Sequence, residues 1–346
     1  MSQKMRAVVI QEGQTTKVQE IPIPDELKEN EVLLKVVAVG LNPTDWKRVE
    51  KSPPGNVSGC DFVGTVQKTG SAVPADLKGQ LRSGFMRGGM RKDNGAFAEY
   101  VRTPWDITFE VPRNITPQQA ASAPIPLFTA CQVFYLRFGF PKPGEDDNAL
   151  KGKWIVIWSG STSVGQYAIQ LAKLSGLKIA TTASTKKYDM LKKLGADVVL
   201  DYKESDVSQK LRKATSDSIV YGLDTISENG SIQLVQQAFG SSGGHLVCTL
   251  FDLGEPARKD VKTESTLSYT CLGQDQTWGP LEFKTSKEDR ANMVACCKLA
   301  TKLFQEGKIR PLDVTDVGDI DKIQKGLDML KNGENPTKLV HTISAL

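Results

Sequence analysis

Trp154-Ile155-Val156-Ile157-Trp158-Ser159-Gly160-Ser161-Thr162-Ser163-Val164-Gly165 is the stretch that decides the fold of this chain. Its apolar, β-branched first half reads as a buried strand, and its small residues read as a tight turn. Behind the turn, Val164, Ala168, Leu171 and Ala172 fall on one face at the i, i+4, i+7, i+8 spacing of an amphipathic helix over 163–175. Strand, turn and helix in that order aim the N–H groups of a helix start at an anion, and the pyrophosphate of a dinucleotide suits that geometry. Gly160 allows the turn and Gly165 the close packing of helix on strand, while Ser161, Thr162 and Ser163 bring hydroxyls and amides. The middle glycine of Gly-x-Gly-x-x-Gly is replaced by Thr162, so the turn alone also fits an ordinary serine-capped βα connection. Its surroundings have to discriminate.

Downstream, strand-like runs at 177–182, 197–200, 219–223 and 245–250 alternate with helical runs at 188–194 and 231–239, which stop at Gly195 and Gly240. That alternation predicts βαβ crossovers and a parallel sheet with helices on both faces. Upstream the texture is β-rich and turn-rich, with strands expected at 5–10, 31–39, 59–66 and 96–101. A long helix over 289–305 leads to a tail that ends in a strand at 338–343 and resembles the first lobe. The expectation is an α/β chain in which a doubly wound, Rossmann-type parallel sheet (126–309) is inserted into a β-rich lobe built from 1–125 plus 310–346. A length of 346 residues suits two lobes, since single cores stop growing near ~250–300 residues.

About twenty residues after the turn, NAD-binding sheets place an Asp or Glu on the ribose 2′-hydroxyl. Here the second strand ends in Thr181-Thr182-Ala183-Ser184-Thr185-Lys186-Lys187, with hydroxyls and lysines and no acid. Such a group suits a 2′-phosphate and points to NADPH; the bland alternative is that Lys186 and Lys187 begin a solvated helix face. Tyr202, after the third strand, is placed to stack on the adenosine or simply to fill space.

Charge and cysteine usage remove other classes. A net charge of +4 lacks the concentrated basic face of a nucleic-acid binder. No window reaches the ~18 consecutive apolar residues of a membrane span, and the start has no signal-peptide core, so a cytoplasmic protein is expected. Cys60, Cys131, Cys248, Cys271, Cys296 and Cys297 are scattered and read as reduced thiols. With His245 and His341 as the only histidines, no metal-ligand spacing is present and no metal is expected.

A second motif lies upstream: Gly40-Leu41-Asn42-Pro43-Thr44-Asp45-Trp46-Lys47, followed by Gly59-Cys60-Asp61-Phe62-Val63-Gly64. Taken with the dinucleotide turn, Leu194-Gly195-Ala196-Asp197 and the closing Lys338-Leu339-Val340, it resembles the medium-chain dehydrogenase/reductase superfamily over essentially the whole length. In that superfamily the β-rich lobe is GroES-like. Its zinc-dependent alcohol dehydrogenases carry a Cys in the first motif and Gly-His-Glu in the second. Here those places hold Pro43 and its neighbours, and Gly59-Cys60-Asp61, and the four-cysteine structural zinc lobe is missing. The chain is therefore similar to the zinc-free quinone oxidoreductases and enoyl reductases. Asn-Pro-Thr-Asp-Trp-Lys, Gly-Ser-Thr-Ser and Ser268-Tyr269-Thr270-Cys271-Leu272-Gly273 resemble fungal trans-acting enoyl reductases.

The resemblance implies an NADPH-dependent enzyme that passes hydride to the β-carbon of an α,β-unsaturated carbonyl, free or carrier-bound. Quinone reduction is the alternative within the class, and a non-catalytic NADPH-binding sensor or partner subunit the alternative outside it. It places Thr44, Asp45, Trp46 and Lys47 on the nicotinamide side with Thr129, and Ser161, Thr162, Ser163 and Val164 on the phosphates. Ser184, Thr185, Lys186, Lys187 and Tyr202 would hold the adenosine end, while Leu250, Phe251, Leu339 and Val340 close over the nicotinamide. Substrate would touch Phe128, Thr129, Ala130, Cys271, Leu272 and Gly273. No catalytic residue is assigned: Tyr135 and Tyr269 are weighed as proton donors against simple packing, and His245 reads as structural. An acyl carrier domain is the implied partner, met by Arg82, Arg87, Arg91 and Lys92 unless these are a solvated loop. Either a monomer or a homodimer fits.

Overall fold

The structure, a computed structural model, describes residues 3–24, 26–146, 148–278 and 281–346, which form two compact units. One unit comprises Met1–Ile125 and Met293–Leu346, the other Pro126–Asn292. The chain returns to the first unit at 293 rather than at the expected 310. The Lys287–Gln305 helix explains the shift, because its C-terminal half is anchored in the β-rich unit. The Phe304 ring stacks on Phe109 with centroids 6.0 Å apart, and Asn114 Nδ2 donates to the Phe304 carbonyl (2.7 Å).

In the second unit six strands are hydrogen-bonded in parallel. Their spatial order is Val198–Leu200, Lys178–Thr182, Trp154–Trp158, Ile219–Asp224, Gly244–Cys248 and Val261–Ser265. In chain order this reads 3-2-1-4-5-6, the doubly wound arrangement, with the order reversing beside Trp154–Trp158. Ile155, Val156 and Ile157 are fully buried, which is why the first strand reads as a continuous apolar run rather than an alternation. The Ser163–Leu174 helix buries Tyr167, Ala168, Leu171 and Ala172, close to the predicted face.

The β-rich unit is built on a seven-stranded sheet. Its central strand, Glu31–Gly40, lies antiparallel to both Asp61–Thr69 and the closing Lys338–Thr342 strand. Gly40 pairs with Asp61 on one side and with Val340 on the other. This register draws three motifs distant in sequence to one end of the sheet. The strand expected at 96–101 begins instead at Tyr100, and Ala98 makes only an isolated bridge to Ala7. Val32, Leu34, Val36, Phe62, Phe97 and Leu339 form the heart of this unit's core.

Candidate functional site

In the parallel-sheet unit the candidate site is the C-terminal edge of the strands around the reversal. Ser159, the first residue after the strand, takes a left-handed conformation (φ 58°), and its amide donates to Thr182 Oγ1 (3.0 Å). The Gly160 amide bonds the Thr182 carbonyl (3.0 Å), so the turn is tied to the end of the neighbouring strand. A Cβ on Gly165 would lie 2.7 Å from Gly160 Cα and from the Ser159 carbonyl, the close approach expected of the last glycine of the fingerprint.

Thr162, in the place of the missing middle glycine, caps the helix: its Oγ1 accepts the Gly165 amide (3.0 Å) and donates to Thr225 Oγ1 (2.9 Å). The Thr225 hydroxyl donates in turn to the Trp158 carbonyl (2.8 Å). This hydroxyl chain joins the loops after the first and fourth strands, which flank the reversal where such sheets bind ligands. Ser163 and Val164 follow as the first helical residues, whose amides have no intrahelical acceptor. Thr225 was missed from the sequence because it has no motif of its own; only its place after a strand marks it.

Ser184, Thr185, Lys186 and Lys187 follow the second strand as a half-buried to exposed short turn. Tyr202 is 43% exposed, with Lys203 Nζ 5.9 Å from its ring centroid. Leu250 and Phe251 are half-buried after the fifth strand, and Phe251 meets the Phe283 ring at 4.5 Å.

Thr129 lies on the Pro124–Cys131 helix, and its Oγ1 is 2.6 Å from Ser268 Oγ. Phe128, Ala130 and Cys271 are buried, Leu272 is half-buried and Gly273 is exposed at a left-handed turn (φ 78°). Sequence reasoning missed what holds this group. The helix widens into a π-turn over Gln132–Arg137, a distortion frequent at functional sites. Buried Gln132 accepts from Thr266 Oγ1 (2.5 Å) and donates to Asp289 Oδ1 (2.8 Å) and Thr270 Oγ1 (3.1 Å). Asp289 Oδ2 accepts from Ser286 Oγ (3.0 Å), so the start of the Lys287–Gln305 helix is tied to the same network. Tyr135 and Tyr269 are buried, and His245 Nε2 sits 2.5 Å from Glu264 Oε1 in a structural pair.

In the β-rich unit Thr44–Lys47 lie on the Pro43–Val49 helix. Thr44, Trp46 and Lys47 are half-buried, and Lys47 Nζ lies 5.6 Å from the Trp46 ring centroid. The Asp45 side chain is committed to the interior instead: its Oδ2 accepts the Asn42 amide (2.7 Å), and burial raises its pKa to about 6 against bonds from the Cys60 thiol and the Asn42 amide. Leu339 and Val340 are equally interior, so what they and Asp45 offer a ligand is backbone. Arg82 corrects the expected basic cluster. It is buried, with Nε on Thr108 Oγ1 (2.7 Å), Nη2 on the Thr108 carbonyl (2.7 Å) and Nη1 on Gln80 Oε1 (3.0 Å). Arg91 and Lys92 are exposed, and Arg87 is half-buried.

A doubly wound sheet and a GroES-like unit in one chain define an oxidoreductase class whose members bind nicotinamide cofactors. The chain belongs to the medium-chain dehydrogenase/reductase superfamily. The family described as alcohol dehydrogenase GroES-like domain matches residues 28–113, and the one described as zinc-binding dehydrogenase matches 163–281. The trans-enoyl reductase ACTTS2 of Alternaria alternata is 37% identical, over 98% of each chain. A zinc-type alcohol dehydrogenase-like protein of Schizosaccharomyces pombe is 34% identical, over 94% of this chain and 96% of the other. Among solved structures, the quinone oxidoreductase from Coxiella burnetii shares the fold with a TM-score of 0.75 at 24% identity, over 99% of this chain and all of the other. The described residues contain no helix long and apolar enough to cross a membrane.

The family description raises the question of zinc, and the donors answer it poorly. The two motifs bring together Asn42, Asp45, Cys60 and Asp61 with the Lys338 ammonium among them, 2.5 Å from Asn42 Oδ1. Among the described residues no group of three or more His, Cys, Asp or Glu side chains is arranged to hold a metal ion. These residues do not fit zinc.

Proposed function

We propose that this chain is a zinc-independent, NADPH-dependent reductase of α,β-unsaturated carbonyls, taking an enone or an enoyl thioester as acceptor. The observation that carries the cofactor choice is the end of the second strand, where Ser184-Thr185-Lys186-Lys187 replaces the acid that would hold a free ribose 2′-hydroxyl. Two cations and two hydroxyls there suit a 2′-phosphate, which accepts charge-assisted hydrogen bonds. When bound, the cofactor supplies hydride to the β-carbon of the acceptor.

The residues of the chain bind and orient. Ser161, Ser163 and Val164 present hydroxyls and helix-start amides to the pyrophosphate, and Thr162 stiffens that turn through Thr225. Thr129 and the turn over Ser268–Leu272 line the acceptor side, held by Gln132. The acceptor's carbonyl gains negative charge as hydride arrives, so a donor must meet it; the paired Thr129 and Ser268 hydroxyls suit that role, the Thr270 hydroxyl being engaged with Asp289 and the Leu267 carbonyl. Names among the relatives support the unsaturated acceptor, since several are trans-enoyl reductases. A carrier-bound substrate would be met by Arg91 and Lys92, exposed cations available to an acidic acyl carrier domain.

The test is NADPH consumption against enones, enoyl thioesters, quinones and aldehydes. Turnover with enones or enoyl thioesters is expected. Turnover confined to quinones would move the chain to the other reductase activity, and tight NADPH binding without oxidation by any acceptor would end the enzyme reading.

A further inference from the structure

Lys338 opens the closing strand of the β-rich unit and is buried. Its Nζ donates to Asn42 Oδ1 (2.5 Å) and lies 3.9 Å from Asp61 Oδ2. Asn42 Nδ2 donates to that same Asp61 oxygen (2.8 Å), and Asp61 Oδ1 takes the Ile125 amide (3.0 Å). Asn42 also donates its backbone amide to Asp45, which the Cys60 thiol bonds as well. All five side chains are less than a tenth exposed.

The charges of this centre nearly balance without help from outside. Two carboxylates face one ammonium, and Lys338 is the cation whose field acts on both Asp45 and Asp61. Burial lowers the pKa of Lys338 while the charges of Asp61 and Asp45 raise it, and one protonated carboxyl beside the ammonium makes the cluster neutral, in keeping with burial raising Asp45 to about 6 and Asp61 to about 7. A divalent ion among the same donors would sit against a buried ammonium that has nowhere to go.

We infer that Lys338 is the built-in cation of this centre, and that it is a positioning residue for the Pro43–Val49 helix. The mechanical link is Asn42, the residue before that helix. Its side-chain amide is gripped at both ends, by Lys338 at the oxygen and Asp61 at the nitrogen, which fixes the direction in which Thr44, Trp46 and Lys47 leave the sheet. The positioning half of this inference rests on the reading that this helix meets the nicotinamide side of NADPH.

The experiment uses the full chain and the substitutions K338M, K338R and N42L. Wild-type protein grown with added zinc is expected to carry no stoichiometric metal by elemental analysis, and to keep its NADPH affinity after exhaustive chelation. K338M should lose thermal stability, and K338R should recover most of it because the charge is kept. In fluorescence titrations K338M should raise the NADPH Kd about tenfold and K338R much less. N42L, which leaves the ammonium beside Asp61 but cuts the link, should weaken NADPH as K338M does, and it carries the test if K338M fails to fold. Stoichiometric zinc in the wild type, or K338M as stable as the wild type, overturns the built-in cation. Folded K338M or N42L with unchanged NADPH affinity overturns the positioning role. Wild-type protein that binds no NADPH defeats the cofactor reading instead, while metal content and the stability of K338M against K338R still decide the cation.

Discussion

The Thr162 hydroxyl accepts the Gly165 amide at 3.0 Å and donates to Thr225 Oγ1 at 2.9 Å, so one side chain both caps the first helix of the parallel sheet and bridges two strand ends. A glycine at this position would free backbone for a ligand but would lose both bonds. T162A should therefore cost about 1 kcal/mol for the cap, lowering Tm by roughly 2–4 °C in a unit of this size. T162S keeps the hydroxyl and should melt near the wild type. Equal melting of T162A and wild type would show that the cap contributes nothing.

Lys187, at the end of the turn after the second strand, is the sharpest probe of cofactor choice. K187A should weaken NADPH by about 1.5–3 kcal/mol if its ammonium meets the 2′-phosphate, and leave NADH almost unchanged. Isothermal titration with both cofactors checks this. Equal losses for the two would mean the lysine belongs only to a solvated surface.

Much of the fold was legible because the governing interactions are local. The apolar run 154–158, the small-residue turn and the periodic helix behind it lie within twenty-odd residues and obey steric and periodic rules. The strand end without an acid was legible for the same reason. Lys338 with Asn42 was not, because these partners sit 296 residues apart and meet only through the pairing of Gly40 with Val340 and with Asp61. Gln132 with Asp289 was hidden likewise, 157 residues apart, and the π-turn that carries Gln132 has no periodic signature. Arg82 was misread because its charge, seen without the fold, suggests a surface, whereas its guanidinium is spent on Thr108 and Gln80.

Gln132 is expected to set the acceptor side. Q132E keeps the shape but places a second carboxyl against Asp289 Oδ1, now 2.8 Å from the Gln132 amide. The introduced group must hold a proton to bond Asp289, so its folded pKa rises above its unfolded value. Stability of the variant relative to wild type should then fall as pH rises from about 5 to 8. Thermal melts across that range check it. In turnover assays KM for the acceptor should rise while the NADPH Kd stays constant; a shift in NADPH affinity alone would assign the network to the cofactor.

Arg91 and Lys92 test the carrier-bound substrate. Arg91 Nε holds Asp93 at 3.0 Å and is half exposed, so reversing both charges disturbs little of the interior. R91E/K92E should raise KM for a carrier-bound enoyl substrate, most clearly at low salt, and leave the free thioester unaffected. Unchanged KM for both substrates would remove these residues from docking.

His341 contributes its own pH dependence to the β-rich unit, opposite in sign to that of the raised Asp45 and Asp61. Its ring is buried, with Nδ1 facing the Gly318 and Asp319 carbonyls at 3.1 and 3.3 Å, so Nδ1 carries a proton. Nε2 faces Gly326, where a Cβ would overlap it. Burial lowers the pKa of the ring, outweighing the carbonyls and the charges of Asp316 and Asp319 that raise it. In the unfolded chain the ring takes a proton near ~6.5. Below that pH the unfolded state binds more protons than the folded one, so stability contributed by neutral His341 is present above about pH 6.5 and is lost as pH falls. H341N keeps a donor toward the carbonyls but does not titrate, so the stability gap between wild type and H341N should narrow from pH 7.5 to pH 5. Taking the difference cancels carboxylates common to both proteins. G326A should add a pH-independent loss of about 1–3 kcal/mol, because the methyl overpacks against the ring and the Leu41 side chain. Denaturant titrations at each pH measure both effects, and a gap that stays constant across the range would mean that His341 does not titrate on unfolding.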